Sequence, residues 1–277
     1  MKNLLLRTLT GLVYTVVIIA GITGGSYSFL ALFSTITVLC LWEFYNLINT
    51  QRQAKISLWY NCLGGLLLFV SAYLYAAGIT SPIIFLSYLT YMMIVFISEL
   101  YKKRQDPIIH SAYIFLGQCY IALPLALLNL LAFSAGKESN PQYCWTFMLA
   151  LFVFIWINDT GAYLVGIKFG KHRLFERISP KKSWEGFWGG LLLTAASSLV
   201  FARYAPEIPC YHWTGLAIAV VVFGTLGDLA ESLIKRTLDV KDSGNVLPGH
   251  GGILDRFDSL LLAVYAMLFY VELFIRN

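Results

Sequence analysis

Apolar stretches of about 20 residues recur along the whole chain, separated by short polar connections. A helix needs about 20 apolar residues to cross a bilayer, so each stretch predicts one membrane-spanning helix. Nine such helices are predicted, at about residues 8–24, 28–49, 57–78, 82–99, 110–133, 145–166, 186–202, 214–234 and 254–275. The expected fold class is therefore all-α, a polytopic integral membrane protein.

Composition supports this interpretation, because the chain is 58% hydrophobic and only 13% charged, whereas soluble domains carry about 25% charged residues. The longest polar segment, at about residues 168–185, is too short to bury a core of its own. We therefore expect one transmembrane domain over residues 1–277. Within it, residues 1–140 are predicted to be mainly scaffold spans, and residues 145–275 to be the catalytic spans with cytosolic loops. The first span is not expected to be a cleaved signal peptide, since further spans follow it.

The basic residues are distributed unevenly between alternate connections. Most of the 20 Lys and Arg residues lie at the N-terminus or after the second, fourth, sixth and eighth spans. Few lie on the opposite side: Lys137, Arg203 and Arg276. The positive-inside rule then places the N-terminus in the cytosol and the C-terminus outside. The net charge of +5 reflects this topology, so no nucleic-acid partner is expected.

Isolated cysteines and acids in the spans carry little functional signal. The five cysteines form no C-x-x-C pair and are expected to be small buried hydrophobic residues. Glu43 and Glu99 stand alone in or near the N-terminal spans. Each is expected to reach toward the interface or to pair locally.

The stretch from Ser232 to Ser259 differs from its surroundings, because charged residues crowd between two apolar runs. Ionisable groups at membrane depth are costly, so the cluster is a candidate functional site. Helical spacing puts four polar residues on one face: Asp228, Glu231, Ser232 and Lys235. Similar spacing is expected to put three on one face of the next helix: Asp255, Asp258 and Ser259. Between them lies the turn at 248–252, whose glycines let backbone N–H groups approach a ligand.

Two further polar segments precede this stretch. Asn158 and Asp159 lie near the end of the sixth span, where Asp159 either forms a wall of the site or pairs with a basic neighbour for structure alone. The segment at 178–186 reads ISPKKSWEG. Its lysines either attract anionic lipid head groups or hold a polyphosphate together with the neighbouring Ser hydroxyls.

The acids predict a metal–phosphate site. Four are expected to converge just under the cytosolic face: Asp159, Asp228, Asp255 and Asp258. Mg²⁺ prefers oxygen ligands, and the scattered histidines supply no zinc ligand set. Lys and Arg beside the metal would neutralise phosphate charge. The residues thus predict transfer of a phosphorus centre between a soluble nucleotide and a lipid, without identifying the base.

The stretch Ser232–Ser259, reading SLIKRTLDVKDSGNVLPGHGGILDRFDS, resembles the signature of the phosphatidate cytidylyltransferases (CDP-diacylglycerol synthases). The segments around Asp159 and Lys181 are similar to that family as well. The resemblance implies that CTP and phosphatidic acid give CDP-diacylglycerol and pyrophosphate, in phospholipid biosynthesis.

The resemblance also implies a set of site residues. Mg²⁺, with a second cation left open, would be bound by Asp228 and Asp255. The implied catalytic residues are Asp228, Asp255, Lys235, Arg236 and Asp258. The implied substrate-binding residues are Asn158, Asp159, Ser179, Lys181, Lys182, Ser183, Glu185, Glu231, Ser232, Lys241, His250, Gly251, Gly252 and Arg256. The phosphatidate oxygen would attack the α-phosphorus in line, with positioning and charge neutralisation supplying most of the acceleration.

Two alternatives remain open at this stage. A CTP-dependent kinase of a lipid alcohol such as polyprenol or phytol would release CDP instead of pyrophosphate. An ion-coupled transporter also uses intramembrane acids and broken helices, but here the charge is confined to the C-terminal half. A homodimer is left open, since G-x-x-x-G-type glycines are too common to predict one. The short loops favour a bacterial inner membrane, with the active site facing the cytosol.

Overall fold

The computed structural model describes residues 2–133, 141–244 and 251–276, with side chains described from residue 8. Almost all of this chain is helical. The helices are α1 (Lys2–Thr23), α2 (Ser26–Arg52), α3 (Leu58–Ala76), α4 (Phe85–Tyr101), α5 (Pro107–Gly117), α6 (Leu123–Ala132), α7 (Thr146–Phe169), α8 (Trp184–Tyr204), α9 (Cys210–Thr237) and α10 (Asp258–Phe274). Short 3₁₀ turns precede α4 at Pro82–Ile84 and α10 at Leu254–Arg256.

The helices follow the predicted spans. Helices α5 and α6 are joined by the π-helical segment Gln118–Ala122 and together form the fifth span. Within the described residues, seven helices are long and apolar enough to cross a membrane, counting α5–α6 as one. The apolar part of α1, Thr8–Thr23, is shorter, and α10 has 17 residues. The predicted all-α, polytopic membrane fold is confirmed.

A small antiparallel sheet between α7 and α8 was not predicted. Strand β1 (Arg173–Phe175) pairs with β2 (Ser179–Ser183), with Arg173 opposite Ser183 and Phe175 opposite Ser179. The sequence analysis predicted only a loop here, because this short polar segment lacks the alternation of a half-buried strand. The sheet positions the two lysines of the SPKKS segment.

The described chain divides into two compact units. The first comprises Met1–Trp145 with Leu238–Arg256, and the second comprises Thr146–Thr237 with Phe257–Asn277. Residues of the Ser232–Ser259 stretch therefore belong to both units. The first unit is built on α1 to α6, and its core includes the buried rings of Phe29, Phe33 and Tyr45. The second is built on α7 to α10, and its core includes Phe154, Trp213 and Phe257.

A polar network inside the first unit ties its helices together. The amide of Gln118, fully buried in the π-helical segment, donates to the Tyr45 hydroxyl at 3.1 Å and to the Asn61 carbonyl at 2.8 Å. The Tyr45 hydroxyl in turn donates to the Ile114 carbonyl at 2.8 Å. Because lipid offers no hydrogen bonds, such contacts between helices compensate buried polar groups.

Candidate functional site

A cavity of about 290 Å³ lies within the second unit, among α7, the hairpin, α8 and α9. Its lining includes six of the residues that the sequence analysis singled out: Asn158, Asp159, Lys181, Lys182, Ser183 and Asp228. Apolar and aromatic side chains complete the wall, among them Tyr163, Leu174 and Phe187. The cavity thus brings acids, lysines and an amide from three different elements, α7, β2 and α9, to one place.

Close packing of α8 on α7 shapes this cavity. A Cβ on Gly190 would lie 2.4 Å from Oδ1 of Asn158, and one on Gly186 would lie 2.8 Å from the Ala162 carbonyl. Both distances are shorter than side-chain carbons tolerate, so glycine is needed at each position. The absence of these side chains lets α8 approach the face of α7 that carries Asn158 and Asp159.

An ion pair crosses the cavity between the hairpin and α9. Nζ of Lys182 lies 2.5 Å from Oδ2 of Asp228, and both side chains are partly exposed. One turn further along α9, the Ser232 hydroxyl donates to Oδ1 of Asp228 at 3.3 Å. The same helix pairs Lys235 with Glu231, whose side chain is only 1% exposed. The predicted polar face of α9 is therefore present.

Asp258 adds a further acid to this region. It begins α10, and its carboxylate lies close enough to those of Asp228, Glu231 and Asp159 for each of these three to repel a negative charge on it. Lys182 and Lys235 each pair with one of these acids. A cation sharing the region would relieve the remaining repulsion.

The donor set fits Mg²⁺ better than zinc. The described lining of the cavity offers carboxylate, amide and hydroxyl oxygens and neither His nor Cys, whereas zinc sites are built mainly from those two residues. Mg²⁺ is usually held by one or two carboxylates together with substrate phosphates, and the mutually repelling acids of this unit can supply those carboxylates.

Asn158 contributes an unsatisfied acceptor. Its side chain is 7% exposed and lines the cavity. Within the described ranges, its Oδ1 atom accepts no hydrogen bond. Buried polar atoms without partners are rare, and this oxygen packs against Gly190 of α8.

Two residues predicted to bind substrate have structural roles at the base of α8. The Ser183 hydroxyl accepts a hydrogen bond from the backbone N–H of Gly186 at 3.1 Å and caps the helix. Oε2 of Glu185 accepts from the backbone N–H of Lys171 at 3.1 Å, and Oε1 lies 2.6 Å from Nδ1 of His172. Glu185 thereby fixes the hairpin to α8 and does not line the cavity.

Asp255 lies in the first unit, and its local geometry differs from the expectation. It belongs to the 3₁₀ turn Leu254–Arg256, whereas α10 begins at Asp258. The helical spacing expected for Asp255, Asp258 and Ser259 is therefore wrong at Asp255. Its Oδ2 atom accepts from the backbone N–H groups of Ser243 at 3.0 Å and Gly252 at 2.8 Å. The carboxylate thus ties Ser243 to the segment 251–256, which we call the signature loop.

Glu43 is the residue that the sequence analysis missed. Its side chain is 5% exposed, and its Oε2 atom accepts from the backbone N–H of Leu254 at 2.8 Å, next to Asp255. A Cβ on Gly252 would lie 2.0 Å from the Ser243 hydroxyl and 2.3 Å from Oε1 of Glu43. The available signal was a lone carboxylate in an apolar span. No spacing rule could identify a partner 211 positions away.

The other predicted site residues are placed as follows. Three are exposed: Arg236, Lys241 and Arg256. Ser179 begins β2 and does not line the cavity. Gly251 has φ +80°, which favours glycine, and it precedes the buried Gly252. His250 lies outside the described residues.

Comparisons with known proteins show that this chain is similar to cytidylyltransferases. The profile of the cytidylyltransferase family matches residues 5–274. Among similar proteins, the phosphatidate cytidylyltransferase of Bacillus subtilis (strain 168) is 47% identical over 134 residues, 48% of this chain and 50% of the relative. That of Staphylococcus epidermidis (strain RP62A) is 37% identical over 165 residues, 59% of this chain and 60% of the relative. That of Staphylococcus aureus (strain COL) is 30% identical over 262 residues, 93% of this chain and 95% of the relative. The chain thus spans about half the length of the first relative and nearly all of the third.

Proposed function

Because this chain belongs to the cytidylyltransferase family, we propose that it transfers the cytidylyl group of CTP to phosphatidic acid in a membrane. The products are CDP-diacylglycerol and pyrophosphate. The observation that carries this proposal is the cavity in the second unit, where Asp228, Lys182 and Asn158 meet beside apolar side chains. Such a lining suits a polar phosphate group whose lipid chains remain among apolar helices.

Charge neutralisation is the main task of the residues around this cavity. Lys181 and Lys182 would bind the CTP phosphates as point charges. In the structure Lys182 pairs with Asp228. With nucleotide bound, we expect Lys182 to turn to a phosphate and Asp228 to a cation. Lys235 and Arg236 are assigned to the phosphatidate phosphate or to the leaving pyrophosphate.

Mg²⁺ is the cation that these carboxylates would hold. We assign it to Asp228, with Asp258 and Glu231 behind it or on a second cation. Bound there, it would neutralise charge on the transferring phosphate. The sequence-based assignment of Asp255 as a further metal ligand stays a prediction.

The reaction itself needs no strong general base, because the attacking phosphatidate oxygen is already anionic. That oxygen forms a bond to the α-phosphorus of CTP, while the bond from the α-phosphorus to the bridging oxygen breaks and pyrophosphate leaves. The chain's side chains bind and orient both phosphates in line, so acceleration comes from positioning and electrostatics. The cytosolic side is the proposed location of this chemistry, following the distribution of basic residues.

Product analysis tests this function. The purified chain in detergent, given CTP, phosphatidic acid and Mg²⁺, is expected to release pyrophosphate in step with CDP-diacylglycerol. Omitting phosphatidic acid should stop the release. Release of CDP with a polyprenol or phytol acceptor would instead identify a lipid alcohol kinase and contradict the proposal.

Lys181→Ala is expected to raise the KM for CTP about tenfold, because one charged contact to a phosphate is lost. Steady-state kinetics at saturating phosphatidic acid measure the effect. Lys168→Ala is the matched control, since Lys168 is an exposed lysine at the end of α7 outside the cavity lining. Equal KM values for both variants would assign Lys181 to lipid attraction instead of nucleotide binding.

A further inference from the structure

A second cavity, of about 610 Å³, lies in the first unit and carries five cationic side chains. They come from the α2–α3 and α4–α5 connections: Arg52, Lys55, Lys102, Lys103 and Arg104. The lining contains one acid, Asp106, and none of the residues assigned to the cytidylyltransfer reaction. The proposed function therefore leaves this basic cavity unexplained.

The two connections are fixed to each other by Arg104. Its Nη1 atom donates to the Ala54 carbonyl at 2.8 Å, and its Nη2 atom donates to the Lys55 carbonyl at 3.2 Å. Its Nε atom lies 3.3 Å from Oε2 of Glu99, whose side chain is 6% exposed. The Arg104 guanidinium thus links the α2–α3 connection to the α4–α5 connection. The backbone positions of the lysines on both connections are fixed by these contacts.

The backbone of the α2–α3 connection is held in an unfavourable conformation. Gln53 has φ 51° and Lys55 has φ 55°, in the left-handed region that residues with a side chain seldom adopt. Such conformations persist where the surrounding structure enforces them and are concentrated at binding sites. Here the enforcing contacts include those of Arg104 with the Ala54 and Lys55 carbonyls.

A buried polar group faces the same cavity. His110, in the first turns of α5, lines it and is 5% exposed. Its Nδ1 atom lies 3.1 Å from Oε1 of Glu99. Throughout the described part of the chain, its Nε2 atom has no hydrogen-bond partner. A ligand oxygen in the cavity would satisfy this nitrogen.

The described lining of the cavity carries five cations and one acid, so positive charge is in excess there. Lys102 and Arg104 share the single carboxylate of Glu99. Neither Lys55 nor Lys103 forms a salt bridge with another residue within 8–133, 141–244 and 251–276. Cations gathered in one concave site repel one another and raise the local concentration of anions.

From these observations we propose that the basic cavity binds a phosphate-bearing anion, held by Lys55, Lys103 and Arg52 and contacted by Nε2 of His110. A tetrahedral phosphate presents several oxygens to cations arriving from different directions, as they do here. The volume suits a headgroup-sized ligand. The phosphate could belong to an anionic phospholipid headgroup or to a soluble phosphate, and the experiment separates these two sources.

The test measures binding to the purified full-length chain in neutral detergent. The probes are dioctanoyl phosphatidylglycerol and inorganic phosphate, with zwitterionic dioctanoyl phosphatidylcholine as the comparison that has no net charge. The double variant Lys55→Gln/Lys103→Gln is expected to weaken binding of at least one anionic probe about 25-fold, since each lysine near a headgroup contributes about fivefold. Phosphatidylcholine binding should not change.

Two control variants separate this effect from folding and from net charge. Lys55→Arg/Lys103→Arg keeps both charges and should bind as the original chain does. Arg203→Gln removes one exposed cation elsewhere and should leave binding unchanged. Weakening for phosphatidylglycerol alone identifies a lipid headgroup, and weakening for inorganic phosphate alone identifies a soluble phosphate. If the double variant binds both anionic probes as tightly as the original chain, or if Arg203→Gln weakens binding equally, the proposal is wrong.

Discussion

Replacing Asp228 by Asn is expected to reduce CTP-dependent pyrophosphate release by about 100-fold or more, because the cation that would neutralise the transition-state charge loses its proposed carboxylate ligand. Asn has nearly the shape of Asp, so packing in α9 should be kept. The substitution removes the negative charge that pairs with Lys182 and that is assigned to the cation. The measurement is the initial rate of pyrophosphate release with saturating CTP, phosphatidic acid and Mg²⁺.

Ser232→Ala is the matched control for this variant. It removes only the hydroxyl that donates to Oδ1 of Asp228, so the carboxylate and its charge remain. A loss of a few-fold is expected, since one hydrogen bond is worth about 1 kcal/mol. Both variants should elute from size-exclusion chromatography as the original chain does. An Asp228→Asn variant that turns over at a rate near the original would refute the assignment of the cation to this residue.

Glu43→Ala is expected to lower kcat about 100-fold, the scale of loss when reacting groups are misplaced by about 1 Å. We propose that Glu43 acts as a positioning residue. It accepts the backbone N–H of Leu254, which is next to Asp255 in the signature loop. Removing the carboxylate leaves that buried N–H unsatisfied, at a cost of about 1–3 kcal/mol. Steady-state kinetics and thermal unfolding in detergent report the two effects.

Glu43→Gln distinguishes positioning from general destabilisation. Glutamine keeps an oxygen that can accept from Leu254 and nearly the same volume, so most of the lost kcat should return. The KM for CTP should change little in either variant, because the cavity lined by Lys181 and Lys182 does not include Glu43. A Glu43→Ala variant with a normal kcat and a lowered melting temperature would show that the contact serves stability alone.

Local patterns predicted most of the fold and part of the candidate site. Each span is a continuous apolar segment, and bilayer thickness converts its length directly into a helix. The polar face of α9 was predictable for a similar reason. Contacts such as Ser232 with Asp228 and Lys235 with Glu231 lie four residues apart and depend only on the helical repeat.

Other features of the site were not predictable in this way. The hairpin carries the polar residues SPKKS on one strand. Because that segment shows no alternation of apolar and polar side chains, its sequence did not predict a strand. Asp255 was assigned to a helix because its spacing to Asp258 matches the helical repeat, yet a turn ends between them. The pairing of Lys182 with Asp228 joins a strand to a helix, so neither residue's neighbours in the sequence could reveal it.

The amino-acid sequence by itself determined that this chain is a bundle of membrane helices and that its unusual charges lie in the C-terminal half. Both follow from the cost of placing polar groups in lipid, which acts on each segment separately. Only the tertiary structure decided that Glu43 supports the signature loop, that Asn158 and Lys181 face one cavity, and that two connections form a basic pocket. These outcomes depend on which distant segments pack together. Packing in turn depends on the shapes of whole helices; at Gly190, for example, the lack of a side chain lets α8 approach Asn158.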